Sequence, residues 1–182
     1  MTDEHGVTHY DQMPIPPVEA HTQYFEAGAI TLGVEYRLLD DAIAAASEKE
    51  GAEGNAASAS QLDDRGVSLH VFGVDGESSR EYLRFDCFEE DPHYHYVDWQ
   101  AQTNQMVHID PDAEGDALAW AIDRIRNRLA PMLERAGASS LARNYDPSLV
   151  EAVLPAVEAE AQRARLHHDD EAIRSAALGN DP

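Results

Sequence analysis

Residues 81–99 read EYLRFDCFEEDPHYHYVDW and form the densest aromatic and charged stretch of the chain. The segment EEDP at 89–92 interrupts this stretch, and Asp and Pro are typical of the loops that join strands. We therefore predict a β-hairpin with residues 89–92 as its loop. Because successive side chains of a strand point to opposite faces, the hairpin also assigns each residue to a face.

With this loop, one face of the hairpin carries three predicted cross-strand pairs: Phe88 with His93, Asp86 with His95, and Arg84 with Val97. The opposite face pairs Cys87 with Tyr94 and Phe85 with Tyr96, and its apolar character makes it the core side. Cys87 is the one cysteine of the chain and is expected to be a buried, inert thiol.

Apolar and polar residues also alternate, as in half-buried strands, in three further segments: residues 30–36, 67–74 and 105–110. If their apolar side chains face the core, His70, His108 and Glu35 lie on the polar face together with Arg84 and Asp86. A slip of one residue would reverse the faces of a strand, so this expectation depends on register. Four of the nine histidines then share one sheet face, namely His70, His93, His95 and His108.

Such a face has the residues of a metal site. His93 and His95, two residues apart on one strand, point the same way and can bind one ion. The third ligand is expected from His70, His108 or Asp86 on neighbouring strands. Imidazole and carboxylate together suit a divalent transition metal such as zinc, iron, nickel or copper, which is the predicted cofactor.

Arg84 and Asp86 are the candidate ligand-binding residues of the same face. A guanidinium binds a carboxylate or phosphate in bidentate fashion, and an aspartate opposite a histidine fixes its tautomer. A purely structural role is the alternative, because Asp–His and Arg–Asp pairs across strands stabilise solvated sheets by roughly 0.2–1 kcal/mol each.

The rest of the chain indicates an α+β fold. Short connections between strands favour an antiparallel sheet of four to five strands, with helices packed on one face as a two-layer sandwich. A long helix is predicted between an Asp116 cap and Gly137, with Pro131 disturbing its last turns. Its apolar stripe is Leu118, Ile122, Ile125, Leu129 and Met132. A second helix should start after Asp146, with an apolar stripe of Leu149, Val153 and Val157.

The predicted domain organisation has one core and two flanking segments. Residues 1–22 are rich in proline and poor in apolar residues, and are expected to form a flexible N-terminal arm. Residues 23–145 form the core domain, with a small-residue surface insertion at 51–62. Residues 146–182 form a C-terminal helical segment.

Composition excludes several classes of protein. The chain has 182 residues, 35 acidic against 13 basic, and a formal net charge of −22. This balance excludes a duplex-DNA or anionic-membrane binder, because phosphate attraction needs Lys and Arg. No apolar run approaches the roughly 20 residues that a membrane span needs, and no secretory signal is evident. A cytoplasmic protein is therefore expected. The dispersed acidic coat is typical of halophilic adaptation, as in archaea that accumulate salt.

The segments Arg84-Phe85-Asp86 and 92–95 (PHYH) resemble those of uncharacterised small-domain families from bacteria and halophilic archaea. Some members of these families are toxin-like components of toxin–antitoxin pairs. The resemblance covers about a dozen residues and implies that Arg84, Asp86, His93 and His95 form one unit. It implies no particular reaction.

Three functional hypotheses follow. The first is a metal- or small-ligand-binding site on the His/Asp/Arg face; if it is catalytic, hydrolysis is the natural reaction class. The second is a protein-interaction or homodimerisation module that uses this face or the basic stripe of Arg124, Arg128 and Arg135. The third is a toxin–antitoxin component. The identity of the small ligand or protein partner is left open.

Overall fold

The computed structural model describes residues 6–49, 63–75 and 78–179. In these residues one antiparallel sheet has the strand order β1-β7-β6-β5-β4-β3-β2. Its strands are β1 Val7–Tyr10, β2 Gln23–Ala27, β3 Ile30–Asp40, β4 Asp63–Asp75, β5 Ser78–Phe88, β6 His93–Asp98 and β7 Thr103–His108. The α-helices are α1 Asp41–Lys49, α2 Pro111–Glu114, α3 Ala117–Arg135, α4 Ser139–Asn144, α5 Pro147–Leu166 and α6 Asp170–Ala177. The predicted insertion at 51–62 lies outside the described residues.

The α+β class is confirmed, but the number of strands was underestimated. The described residues contain seven strands rather than four to five. The two additional ones are β1, which lies in the segment expected to be a flexible arm, and β2. Both are short strands at the edges of the sheet, and the sequence there has little of the alternation that marks the longer strands.

The apolar face of the sheet packs on α3 and α5. The predicted stripe of α3 is buried throughout, and Asp116 caps the helix by accepting a hydrogen bond from Ala119 N–H. The α-helix continues through Pro131 to Arg135, so the proline does not end it. In α5 the predicted stripe was partly wrong, because Leu149 is exposed while Val150 and Leu154 are buried.

The register of the β5–β6 hairpin differs from the prediction by two residues. Asp86 pairs with His93 and Arg84 with His95. The cause is a contact with β4: the backbone N–H groups of Glu90 and Asp91 donate to the Asp64 carboxylate, at 3.1 and 2.9 Å. This holds the end of β5 and the start of the loop on β4, so pairing with β6 begins only at Asp86. A shift of two residues preserves the faces, and all four predicted histidines do share one.

The N-terminal segment must cross the polar face of this sheet. β1 and β2 follow one another in sequence but occupy opposite edges, six strand spacings or about 29 Å apart. The link between Tyr10 and Gln23 can span about 43 Å when fully extended, so it is long enough to cross the whole sheet. Val18 N–H donates to Glu35 Oε1 at 3.0 Å, and Ile15 O accepts from Arg37 at 3.4 Å. Part of the polar face is therefore covered by the N-terminal segment.

Candidate metal centre

The candidate site lies where β5 and β6 pair on the polar face. The Nε2 atoms of His93 and His95 approach one oxygen, Asp86 Oδ2, at 3.4 and 3.3 Å. All three side chains are buried, with exposed fractions of 4–7%. One potential ligand atom from each lies within 4.8 Å of those from the other two. The three residues can therefore hold a metal ion.

Both imidazoles are oriented by acceptors at their other ring nitrogen. His93 Nδ1 lies 2.7 Å from the Asp91 carbonyl oxygen, and His95 Nδ1 lies 2.9 Å from Asn104 Oδ1. The Asn104 amide is itself oriented, because its Nδ2 donates to the Gln12 carbonyl oxygen at 2.8 Å. A carbonyl acceptor at Nδ1 requires the proton there and directs the Nε2 lone pair to the centre.

Asp86 is held as a carboxylate. Its Oδ1 accepts a hydrogen bond from the Ser68 hydroxyl, which leaves Oδ2 to the histidines. Burial by itself would raise the pKa of Asp86, but the interactions with His93 and His95 outweigh it and lower this pKa well below its usual range. The charged carboxylate is the form that binds a metal.

The two imidazoles differ in basicity. Burial lowers the pKa of both, but the contact of His93 with Asp86 outweighs burial and raises the pKa of His93. For His95 burial prevails, helped by the nearby charges of His93 and Arg84, and its pKa is lowered. His95 is thus the weaker base of the pair.

A second buried cluster adjoins the first. His70 is fully buried between two carboxylates: its Nδ1 lies 2.5 Å from Glu81 Oε1 and its Nε2 lies 3.2 Å from Glu35 Oε2. Arg84 donates to both oxygens of Glu81, from Nε at 2.9 Å and from Nη2 at 2.7 Å. Despite its burial the pKa of His70 is raised, chiefly by Glu81. This cluster is a chain of alternating charges that ends at Arg84, next to the centre.

A cleft of about 110 Å³ opens over the centre. Its floor includes Arg84 and the Asp86/His93/His95 group, and its roof comes from the N-terminal segment through Pro14 and Ile15. A small molecule in this cleft would contact the centre and the arginine together.

The structure separates the histidines predicted to act together. His70 belongs to the carboxylate cluster, and His108 is exposed, with its Nδ1 2.7 Å from Asp91 Oδ1. Sequence reasoning missed Ser68 and Asn104, which bind Asp86 and His95. The alternation of β4 places Ser68 on the polar face beside His70, so the sequence could have indicated Ser68. The position of Asn104 instead depends on the pairing of β7 and on a contact with the N-terminal segment at Gln12.

The basic stripe of α3 is largely used within the molecule. The Arg124 guanidinium lies 5.0 Å from the centre of the Trp120 ring, and that of Arg135 lies 4.2 Å from the centre of the Tyr96 ring. These contacts are cation–π interactions. They occupy two of the three arginines proposed for a partner surface.

Fold and site define an α+β domain with a buried Asp/His/His cluster under an N-terminal cover. None of the helices in the described residues has both the length and the hydropathy to cross a lipid bilayer. The chain belongs to the family described as "Domain of unknown function (DUF7700)", which matches residues 24–161. Neither the curated proteins nor the solved structures gave a significant match. The family agrees with the expected uncharacterised domain; the halophilic and toxin–antitoxin expectations stay predictions.

Proposed function

We propose that Asp86, His93 and His95 bind one divalent transition-metal ion, which acts on a small molecule in the cleft. The distances between the ligand atoms are the observation that carries this proposal. Four ligands at about 2.1 Å around a tetrahedral ion are separated by about 3.4 Å. The Nε2–Oδ2 distances of 3.4 and 3.3 Å have this value.

The surroundings of the three residues support the same proposal. Metal-bound histidines usually donate their other N–H to a carbonyl or carboxylate, as the acceptors of Asp91 and Asn104 allow here. A strong charge-assisted hydrogen bond would be shorter, at about 2.7–2.9 Å. The spacing thus suits an ion between the side chains better than a direct histidine–aspartate bond.

Three protein ligands are typical of catalytic sites, in which a further position takes water or substrate. A bound ion of this type lowers the pKa of its water to about 7 and so generates a nucleophile. Metal-assisted hydrolysis is therefore the reaction class that we propose. The imidazole–carboxylate set fits zinc and also iron, for which two histidines and one carboxylate are a common ligand set.

Metal content tests the proposal. The protein is purified in molar salt without a His-tag and assayed by elemental mass spectrometry, beside His93→Ala/His95→Ala and the control His108→Ala. We expect near-stoichiometric metal in the wild type and in the control, since His108 is exposed and outside the centre. The double variant should lose it while its circular dichroism stays native.

Absence of metal in the wild type, followed by no binding in titrations with zinc, nickel, iron and manganese, would contradict the proposal. The cluster would then be a buried ion pair whose role is structural.

A further inference from the structure

One nitrogen of a buried arginine is available at the centre. Nε and Nη2 of Arg84 are bound to Glu81, and in the part of the chain that the structure describes no hydrogen bond reaches Nη1. Arg84 is 3% exposed and lines the cleft. In the described residues, the buried side-chain atoms without a partner are Arg124 Nε and Asp170 Oδ1, so Arg84 Nη1 keeps solvent access and can bind an acceptor that enters the cleft.

Arg84 and the metal ligands face the same space. Arg84 lies directly across the strands from His95 and two residues before Asp86. Neighbours at these positions on one sheet face are about 5–7 Å apart. One small molecule can therefore reach both a metal ion at the centre and the Arg84 guanidinium.

The cleft favours an organic anion. A metal ion bound at the centre and Arg84 would together attract negative charge, and the cleft volume of about 110 Å³ admits only a small molecule. The carboxylates of Asp64 and Asp91 also line the cleft, but the first accepts from the backbone N–H groups of Glu90 and Asp91, and the second contacts His108. The remaining lining includes Pro14, Ile15, Leu39 and Met106, which offer apolar contact. Inorganic phosphate would need donors around all its oxygens, whereas a carboxylate needs them at one end only.

We propose that the cleft binds a small organic carboxylate, whose oxygens contact the metal ion and Arg84 Nη1 while its apolar part lies against Pro14 and Ile15. This inference rests on the proposed function. It makes a carboxylic acid the substrate or the product of the reaction at the centre, and it gives Arg84 the role of anchoring that group.

The test uses the full chain loaded with Co²⁺, whose visible absorption reports changes of coordination. Propionate is the probe, with the neutral isostere propionamide and inorganic phosphate as comparisons, all at constant chloride. Propionate should shift the spectrum and saturate in the millimolar range. The two comparison compounds should need at least about tenfold higher concentrations for the same shift.

Arg84→Gln should retain Co²⁺ but lower the affinity for propionate by about tenfold or more, because one charge-assisted hydrogen bond is lost. Arg126→Gln, an exposed arginine paired with Glu151, is the control and should behave as the wild type. If Arg84→Gln fails to fold, Arg84→Lys replaces it: lysine keeps the charge beside Glu81 but cannot bind Glu81 and the probe with one planar group.

The outcomes separate the two proposals. Failure of the wild type to bind Co²⁺ overturns the metal centre. Co²⁺ binding with a spectrum that propionate leaves unchanged overturns the carboxylate site alone. Equal propionate affinity in the wild type and the Arg84 variant overturns the role of Arg84.

Discussion

His70 is the residue whose replacement tests the buried charge cluster most directly. The change His70→Gln removes the positive charge between Glu81 and Glu35 and leaves both carboxylates in place. Breaking a buried ion pair costs about 3–5 kcal/mol. Glu81 keeps its two hydrogen bonds from Arg84, and Arg37 remains 3.7 Å from Glu35. We therefore expect a loss in the free energy of unfolding at the lower end, about 3 kcal/mol.

The cost should depend on pH with a defined sign. The pKa of His70 is raised above its ordinary value of 6.5, so its contribution is complete below about pH 6.5 and is lost as pH rises through the folded-state pKa. The pKa of Glu81 is lowered, chiefly by Arg84 against the effect of burial, so its contribution is lost instead on acidification. The difference between wild type and variant should thus be largest near pH 6 and smaller near pH 9.

Urea unfolding at constant salt, followed by tryptophan fluorescence at several pH values, measures this difference. His108→Gln is the matched control, because His108 lies on the same face but is exposed; it should cost less than about 0.5 kcal/mol. A cost for His70→Gln below about 1 kcal/mol at pH 6, or one that does not fall toward pH 9, would refute the reasoning.

Three further predictions concern packing and charge. Leu154→Ala should lower the free energy of unfolding by about 3 kcal/mol because Leu154 is fully buried. Leu149→Ala, on the exposed side of α5, should lower it by less than about 0.5 kcal/mol. Equal losses in urea titrations would contradict the observed helix face. Gly73→Ala should lower the free energy of unfolding by about 1–3 kcal/mol, because the added Cβ meets the Leu141 side chain. In the double variant, Leu141→Ala should relieve part of this loss. Strictly additive losses would argue against the contact. Raising salt from about 0.1 M to about 1 M should raise Tm, since a net charge of −22 repels itself; an unchanged or lower Tm would contradict halophilic adaptation.

The strands and helices with a regular apolar periodicity were predicted correctly from the sequence. The alternation of residues 30–36 gave the correct core face of β3, and the stripe of α3 was correct at every position. The faces of β5 and β6 were right although their register was wrong, because a shift by two residues leaves alternation unchanged. The presence of Asp86, His93 and His95 on one face was therefore predictable from sequence alone.

Contacts between residues distant in sequence were not predictable in this way. The hairpin register depends on the Asp64 carboxylate, 26 residues before the Glu90 N–H that it accepts from. The position of the arm depends on its backbone groups, as in Val18 N–H to Glu35, and backbone groups leave no pattern in the sequence. Distinguishing His70 from the Asp86/His93/His95 group required Glu81, whose contact with His70 depends on the β4–β5 register.

The residues that line the two sides of the cleft come from separate parts of the chain. The family match begins at residue 24, so it includes Arg84 and the Asp86/His93/His95 group but not Pro14 and Ile15. Substitutions at Pro14 and Ile15 would therefore change the lining of the cleft without replacing any residue of the Asp86/His93/His95 group, so the two sides of the cleft can vary independently.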